Sequence, residues 1–248
     1  MNHFLYEDPI MSKHTFTKSV IIAGLAFLSS SSVLANHTGF YGGVALGGAA
    51  LTGKSGLLVS RINPLGFLQP NNYGSRLSDG SITGDFFVGY GKRLNCFWVA
   101  AEAIASLTNL NSKTSLDLSD LNSGQFLSVK TTNGWVGAIN LGYYLNESLK
   151  VYIKLGIESR RFRVNFTGVP NAAGDALVNL NTTYTSTAFV PGLGMEVDLT
   201  PRFSLRTEYR GAFHQAKIVQ VTQSATAYTI VKTTPVIHTF TVGFTVKI

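Results

Sequence analysis

The feature that most limits how this chain can fold is a strict alternation of apolar and polar residues with a period of two. In the stretch HTFTVGFTVKI, Phe240, Val242 and Phe244 alternate with threonine and glycine. The stretch FVPGLGMEVDLTPRFSLRTEYRG, residues 189–211, repeats this pattern on both sides of a short turn. A period of two is typical of β-strands whose two faces meet different surroundings. The alternation predicts strands, but it leaves open which face points into the protein.

The composition limits the surroundings in which these strands fold. Only 13% of the residues are charged, whereas about a quarter are charged in an average soluble domain. No apolar run reaches the roughly 18 to 20 residues that a transmembrane helix needs. If the chain lies in a membrane, strands rather than helices must therefore cross it. The net charge of +7 does not make the chain a nucleic-acid binder, because no motif for nucleic acid accompanies it.

The N-terminal segment has the pattern of an export signal. Lys13 and Lys18 precede the apolar run SVIIAGLAFL, and a serine-rich stretch ending in Val-Leu-Ala follows it. This order of charged, apolar and small residues predicts a cleavable signal peptide at 1–35 and a mature barrel domain at 36–248. Met11 offers a second start that gives a signal of ordinary length, and the choice of start stays open.

Three short turns divide the mature chain, with centres about 50 residues apart, and alternating segments flank each of them. The predicted strands are 39–51, 81–92, 96–108, 127–144, 149–164, 186–198, 202–211 and 236–248. The predicted long connections are 52–80, 109–126, 165–185 and 212–235. Short turns at one end and long loops at the other predict an all-β fold, a closed eight-stranded antiparallel up-and-down transmembrane β-barrel with its turns in the periplasm.

The size of the residues decides which face of the strands points outward. If the apolar side pointed inward, small residues such as Gly43, Ala45 and Gly47 would form a surface with few charges, which is poor for solubility. Turned inward, the same small residues fit the narrow interior of an eight-stranded barrel. The apolar side is therefore predicted to face lipid. Aromatic residues near strand ends predict girdles at the two membrane interfaces: Tyr41, Tyr90, Phe97, Trp98, Tyr143, Tyr144 and Phe203.

If the apolar face points to lipid, the charged side chains of the other face point into the lumen, and their signs nearly balance. The predicted lumen charge network consists of Asp85, Glu102, Lys154, Glu158, Arg160, Glu196, Arg206, Glu208 and Arg210. Buried charges are costly unless they are paired and hydrogen-bonded, so a near balance of signs predicts a network that closes the barrel. A charge-selective pore is the alternative, but it favours an excess of one sign at a constriction. Whether the lumen conducts stays open.

Several of these stretches together resemble a known family. The motifs are GFYGGVALGG, GDFFVGYG, AAEAI, FVPGLGMEVDLTPRFSLRTEYR and FTVGFTVKI. They resemble the small outer-membrane β-barrels of the OmpA and OmpX type, including opacity-like surface-antigen barrel domains, over essentially the whole mature chain. The resemblance implies an outer-membrane location and assembly through the C-terminal strand by the barrel-assembly machinery. It marks the architecture rather than an activity, and Ile248 departs from the family's usual aromatic last residue.

The resemblance also includes barrels that are lipid A-modifying enzymes or proteases, so a catalytic site is one alternative. Such chemistry needs an activated nucleophile or water, usually beside a histidine. The mature chain contains only His37, His214 and His238, and Ala216 stands where a His-x-Ser pair would need serine. The sequence therefore predicts a non-enzymatic protein with no catalytic residues, no cofactor and no metal site.

The first long connection is unusually apolar for a segment expected in water. The candidate contact patch in it consists of Leu57, Leu58, Val59, Ile62, Leu65, Phe67 and Leu68. One interpretation is that these residues fold back over the barrel mouth, and the other is a contact patch for a host or cell-surface ligand. In the fourth connection, AKIVQVTQSATAYTIVKTT alternates well enough to predict that the last two strands continue as a hairpin.

These features predict a structural or surface-interaction role, such as adhesion, through four extracellular loops, with a narrow porin for small solutes as the alternative. The expected partners are outer-membrane lipid and lipopolysaccharide. Several bases lie in or near the loops and predict non-specific contact with lipopolysaccharide phosphates: Lys54, Arg61, Arg76, Arg163, Lys217 and Lys232.

Overall fold

The computed structural model describes residues 38–62, 68–116, 125–170, 177–224 and 227–248. Its strands are β1 (Gly39–Ile62), β2 (Leu68–Leu94), β3 (Phe97–Thr108), β4 (Leu110–Leu116), β5 (Gln125–Tyr144), β6 (Leu149–Pro170), β7 (Leu177–Asp198), β8 (Phe203–His214), β9 (Lys217–Ser224) and β10 (Ala227–Lys247). β4 continues β3 after Asn109, and β9 continues β8 after a break of two residues. The ten segments therefore form eight barrel strands, since β3 with β4 and β8 with β9 each count as one. The predicted signal peptide lies outside the described residues.

The eight barrel strands close into one barrel. Each is antiparallel to its neighbours in chain order, and β1 pairs with β10 from Tyr41 opposite Lys247 to Arg61 opposite Ala227. The predicted closed eight-stranded barrel is thus confirmed. Within the described parts of the chain, no helix is both long and apolar enough to span a membrane.

An apolar belt surrounds the half of the barrel that contains the short turns. On β6, Ile153, Leu155 and Ile157 are exposed, whereas the alternate side chains Lys154 and Glu158 are buried. The belt comprises the outward positions of 40–48, 82–90, 97–107, 135–143, 151–159, 189–197, 203–213 and 238–248. Nine residues of a tilted strand rise about 23 Å, which is close to the roughly 25 Å apolar band of an outer-membrane barrel. The apolar side therefore faces outward, as predicted.

Beyond the belt, the polar side chains of the strands point outward and the apolar side chains point inward. On β6, Arg161 and Arg163 are exposed while Phe162 and Val164 are buried. The part of the wall beyond the belt, here called the extension, comprises 50–62, 68–80, 110–116, 125–133, 160–170, 177–187, 215–224 and 227–236. Its described interior contains Leu51, Leu77, Leu110, Leu127, Val129, Phe162, Val164 and Tyr184. This exchange is expected where a strand passes from hydrocarbon into water, because water favours polar groups outside and apolar groups inside.

The extension corrects the predicted loop lengths. Most of the connections predicted at 52–80, 109–126, 165–185 and 212–235 are strand. The gaps between the described strands shrink to 63–67, 117–124, 171–176 and 225–226. Threonine, serine and asparagine led to the loop prediction, yet threonine and β-branched residues also favour strands. The hairpin predicted for the fourth connection is present, because β9 pairs with β10.

The wall of the extension separates into two four-stranded sheets. The β2–β3 ladder ends at Thr83 opposite Thr108, and the β7–β8 ladder ends at Ala188 opposite His214. Beyond these points, one sheet has the order β9-β10-β1-β2 and the other has the order β4-β5-β6-β7. Across one junction, the Ser112 hydroxyl accepts a hydrogen bond from the backbone N–H of a β2 residue at 3.0 Å. Side chains rather than a backbone ladder join the sheets there.

Candidate functional site

The centre of the lumen is occupied by a carboxylate that binds two bases. Glu102 on β3 accepts a hydrogen bond from Lys154 Nζ at 2.6 Å. The two terminal nitrogens of Arg206 donate to its oxygens at 2.7 and 3.0 Å. The Tyr41 hydroxyl and the Asn140 amide donate to the same carboxylate at 3.0 and 3.2 Å. Because the donors come from β1, β5, β6 and β8, these contacts cross the barrel rather than follow one strand.

A second carboxylate shares the same bases. Glu208 lies within 2.8 Å of Lys154 Nζ, contacts Arg206, and accepts a 2.8 Å hydrogen bond from the Tyr152 hydroxyl. Arg210 approaches Glu208 at 3.7 Å and thereby links it to a third acid.

That third acid is Asp85 on β2, which lies 2.8 Å from Arg210. Arg210 also donates to the Ser106 hydroxyl at 3.2 Å. The connected set, here called the central cluster, consists of Asp85, Glu102, Glu208, Lys154, Arg206 and Arg210. It contains three acids and three bases and is therefore formally neutral.

Separate ion pairs lie on either side of the central cluster. Toward the extension, Glu158 pairs with Arg160, and Arg160 also donates to a backbone carbonyl of β5 at 3.0 Å. Toward the short turns, Lys150 lies 3.3 Å from Glu196 and 3.6 Å from the centre of the Trp98 ring. Charge is thus neutralised locally at three levels of the lumen.

Glycines on the wall make room for the aromatic rings. A Cβ atom at Gly194 would overlap the ring of Tyr152, and one at Gly89 would overlap the ring of Tyr41. The two rings therefore lie against these glycines, and their hydroxyls donate to Glu208 and Glu102. The small inward residues in the sequence allow large polar side chains to share an interior only eight strands wide.

The structure places all nine residues of the predicted lumen charge network in the interior, each no more than 5% exposed. Sequence reasoning missed Lys150, Tyr152 and Asn140, although they have the inward parity of their strands. It also placed Trp98 and Tyr144 in the aromatic girdles, whereas both are buried in the lumen, as is Tyr41. The other girdle residues, Tyr90, Phe97, Tyr143 and Phe203, are exposed on the belt.

Above the ion pairs, the lumen becomes aromatic. The Phe162 ring packs edge-on against His214 at 4.8 Å and stacks on Tyr184 at 5.5 Å. The Tyr184 hydroxyl shares a 2.8 Å hydrogen bond with Thr233, and burial raises the pKa of this hydroxyl. Neither ring nitrogen of His214 has a side-chain hydrogen-bond partner among the described residues. Within the same residues, no cluster of three or more potential metal-binding side chains occurs.

The predicted contact patch falls mostly on strands rather than on a loop. Leu57, Leu58, Val59 and Ile62 belong to β1, and Leu68 begins β2. Leu65 and Phe67 lie outside the described residues, as do the side chains of the other five. The loop assignment of the five strand residues was wrong, because the ladders of β1 with β10 and β2 continue beyond the belt as far as Arg61 and Ile62.

Residues 20–247 match the family model of the outer membrane protein beta-barrel domain. Among solved structures, the chain is similar to the outer membrane protein OprG from Pseudomonas aeruginosa, with 14% identity, 87% of this chain and 100% of that chain covered, and a TM-score of 0.51. The outer membrane protease OmpT from Escherichia coli shares 9% identity, with coverages of 89% and 99% and a TM-score of 0.48. Neisserial surface protein A shares 15% identity, with coverages of 82% and 99% and a TM-score of 0.34. A search of curated protein sequences gave no significant match.

Proposed function

The chain belongs to the outer membrane protein beta-barrel domain family and lies in the outer membrane, and we propose that it is a closed, non-enzymatic barrel with a structural or surface-interaction role. The central cluster carries this proposal. Its contacts join Glu102 on β3 to Lys154 on β6 and Arg206 on β8, so they run across any path along the lumen. A solute would have to separate buried ion pairs, which costs several kcal/mol unless new partners replace the lost ones.

The refolded chain 36–248 is expected to pass no steady current in a planar bilayer, because the ion pairs of the central cluster cross the lumen. Single-channel recording measures this directly. The matched variant Glu102→Ser/Arg206→Ser removes one acid and one base together, so it keeps the net charge, and it is expected to show openings.

Uniform openings of the unaltered chain would favour the alternative, a narrow porin for small solutes. If neither protein shows openings, although protease protection verifies that both are inserted, the barrier to ion flow lies elsewhere than at the central cluster. The cluster would then not be what closes the barrel.

An enzymatic role has little support in the described residues. His214 is buried against the Phe162 ring, and no carboxylate or serine hydroxyl of the described residues is hydrogen-bonded to it. A general base must reach the proton that it removes, directly or through one water. The arrangement favours a packing role for this histidine, and it does not favour lipid A modification.

The extension supports a role at the cell surface. In barrels of this type, short turns face the periplasm and the opposite end faces outward, so the two sheets would project beyond the lipid headgroups. They would hold the four connecting segments on stiff strands at a fixed distance from the membrane. A host or cell-surface ligand would meet those segments first, while residues 1–35 would direct export and the last strand would engage the barrel-assembly machinery.

Replacing Leu58 and Phe67 with alanine is expected to reduce attachment of cells displaying the protein to a host-cell monolayer by at least half. The reason is the loss of apolar contact area, which is worth about 1.5–3 kcal/mol for each side chain that becomes buried. Attachment is counted at equal surface display. The control replaces Thr183, Thr185 and Thr187 of β7 with alanine, since these threonines are exposed on the extension. Equal attachment by the apolar variant and the unaltered protein would exclude the contact patch.

A further inference from the structure

Four bases form a patch on the outer face of the extension. Lys113 lies on β4, Lys130 on β5, and Arg161 and Arg163 on β6, and all four are exposed. They are here called the outer basic cluster. Each alternates with a buried inward side chain, as Phe162 does between the two arginines. All four therefore point sideways, away from the barrel axis.

The strand register brings these bases side by side. Lys130 lies directly opposite Arg163 in the β5–β6 ladder. Lys113 lies opposite Ser128, two residues from Lys130, and is therefore its diagonal neighbour. Directly opposed side chains in an antiparallel pair have Cβ atoms about 5 Å apart, and like charges there destabilise the sheet. Without a bound anion, this arrangement of like charges does not stabilise the protein.

No acid of the described chain offsets this charge. None of the four bases has a carboxylate within ion-pair distance among the described residues. Beyond the belt, the described outward positions of β4, β5 and β6 carry no aspartate or glutamate, and Glu158 is buried in the lumen. The cluster therefore offers positive charge to an external anion.

The height of the cluster identifies the kind of anion. Ile157 and Trp135, at the upper edge of the belt, are 64% and 69% exposed. Arg161 follows Ile157 by four residues, which places it about 13 Å further along the strand. An outer-leaflet lipid with its acyl chains against the belt would carry its headgroup at this level. Arginine and lysine are suited to phosphate groups there, arginine through two parallel hydrogen bonds.

We propose that the outer basic cluster is a binding site for the phosphate groups of outer-leaflet lipopolysaccharide. The phosphates lie between Lys130 and Arg163 and relieve their repulsion, while Lys113 and Arg161 extend the site to either side. The acyl chains of the same molecule lie against the exposed side chains of Trp135 and Ile157. This site requires the outer-membrane location only, and it is independent of whether the lumen conducts or the connecting segments bind a partner.

The test titrates the full refolded mature chain in phosphatidylcholine vesicles with bisphosphorylated lipid A and follows the tryptophan fluorescence. Its change reports Trp135, which is exposed on the belt, because the other tryptophan, Trp98, is buried in the lumen. Dephosphorylated lipid A with the same acyl chains is expected to bind at least ten-fold more weakly. The variant Lys130→Gln/Arg163→Gln is expected to bind the phosphorylated lipid roughly 30-fold more weakly, since each base near the headgroups contributes a factor of about five. Lys130→Arg/Arg163→Lys is expected to keep the affinity.

The matched control is Lys92→Gln/Arg202→Gln, which removes two exposed bases at the short-turn end and is expected to change affinity less than two-fold. An equal loss in this control, or equal binding of the dephosphorylated lipid, would overturn the proposal. Heparin and inorganic phosphate are expected not to compete at equal phosphate or sulfate concentration, and competition by either would make the cluster a site for soluble anions instead. If the first variant does not fold, Lys113→Gln/Arg161→Gln gives the same test, and an unchanged affinity there would also overturn the proposal.

Discussion

Replacing Glu102 with glutamine is expected to lower the free energy of unfolding by about 3–5 kcal/mol, the cost of breaking a buried ion pair by removing one partner. Glutamine keeps nearly the same volume, so the loss reports charge rather than packing. The central cluster would change from three acids and three bases to two acids and three bases, with Lys154 and Arg206 sharing Glu208. Reversible urea unfolding of the barrel in lipid vesicles measures the free energy from the midpoint and the slope.

The double variant Glu102→Gln/Lys154→Met tests whether the loss of stability in Glu102→Gln comes from the unbalanced charge. It leaves two acids and two bases in the central cluster, and replacing a buried ion pair with uncharged groups is often close to neutral. We expect the double variant to be at least 1.5 kcal/mol more stable than Glu102→Gln alone, a coupling typical of residues in direct contact. Glu147→Gln, at an exposed turn, is the control for loss of an acid. Simple additivity of the two substitutions would show that the balance of charge does not stabilise the lumen.

The residues that line the lumen could be predicted, because the alternation of inward and outward side chains along a strand is a local property. On β6, the even-numbered residues 150–160 point inward through the belt, and the charged ones can be chosen from the sequence alone. Lys150 was missed because it lies at the start of its strand. Tyr41, Trp98 and Tyr144 were misplaced because aromatic residues at strand ends suit both an interface girdle and a narrow lumen.

The pairing of these charges could not be predicted in the same way. Glu102 and Arg206 are 104 residues apart in sequence, and their contact depends on the tilt and stagger of the closed barrel. Local alternation fixes which way a side chain points but not its height relative to a strand across the lumen. The three levels of ion pairs therefore became visible only in the structure.

The extension was missed for a different reason. Leu127, Val129, Phe162 and Val164 alternate as regularly as the belt residues do, but with the apolar side turned inward. These four residues fall within the predicted strands 127–144 and 149–164, but the serine-, threonine- and asparagine-rich segments that contain Leu77, Leu110 and Tyr184 were interpreted as loop although they are strand. A reversal of the alternation, with threonine and charged residues replacing leucine and isoleucine outside, marks the membrane boundary in the sequence itself.

Because the interior of the extension is apolar and that of the belt is ionic, the two parts are expected to respond separately to core substitutions. Phe162→Ala is expected to cost about 3–5 kcal/mol, the usual loss for a buried phenylalanine. Phe162 is fully buried and contacts the rings of Tyr184 and His214. The cost falls on local opening of the extension, since the central cluster remains intact.

Hydrogen exchange resolved by residue would then show amides in 160–165 and 181–187 exchanging faster, while those in 151–157 and 189–197 stay protected. Thr185→Ala, an exposed neighbour on β7, is expected to leave both regions unchanged. Faster exchange throughout the belt in Phe162→Ala would contradict this expectation. It would mean that the strands open along their whole length, so that the apolar core outside the membrane helps to hold the ion pairs inside it.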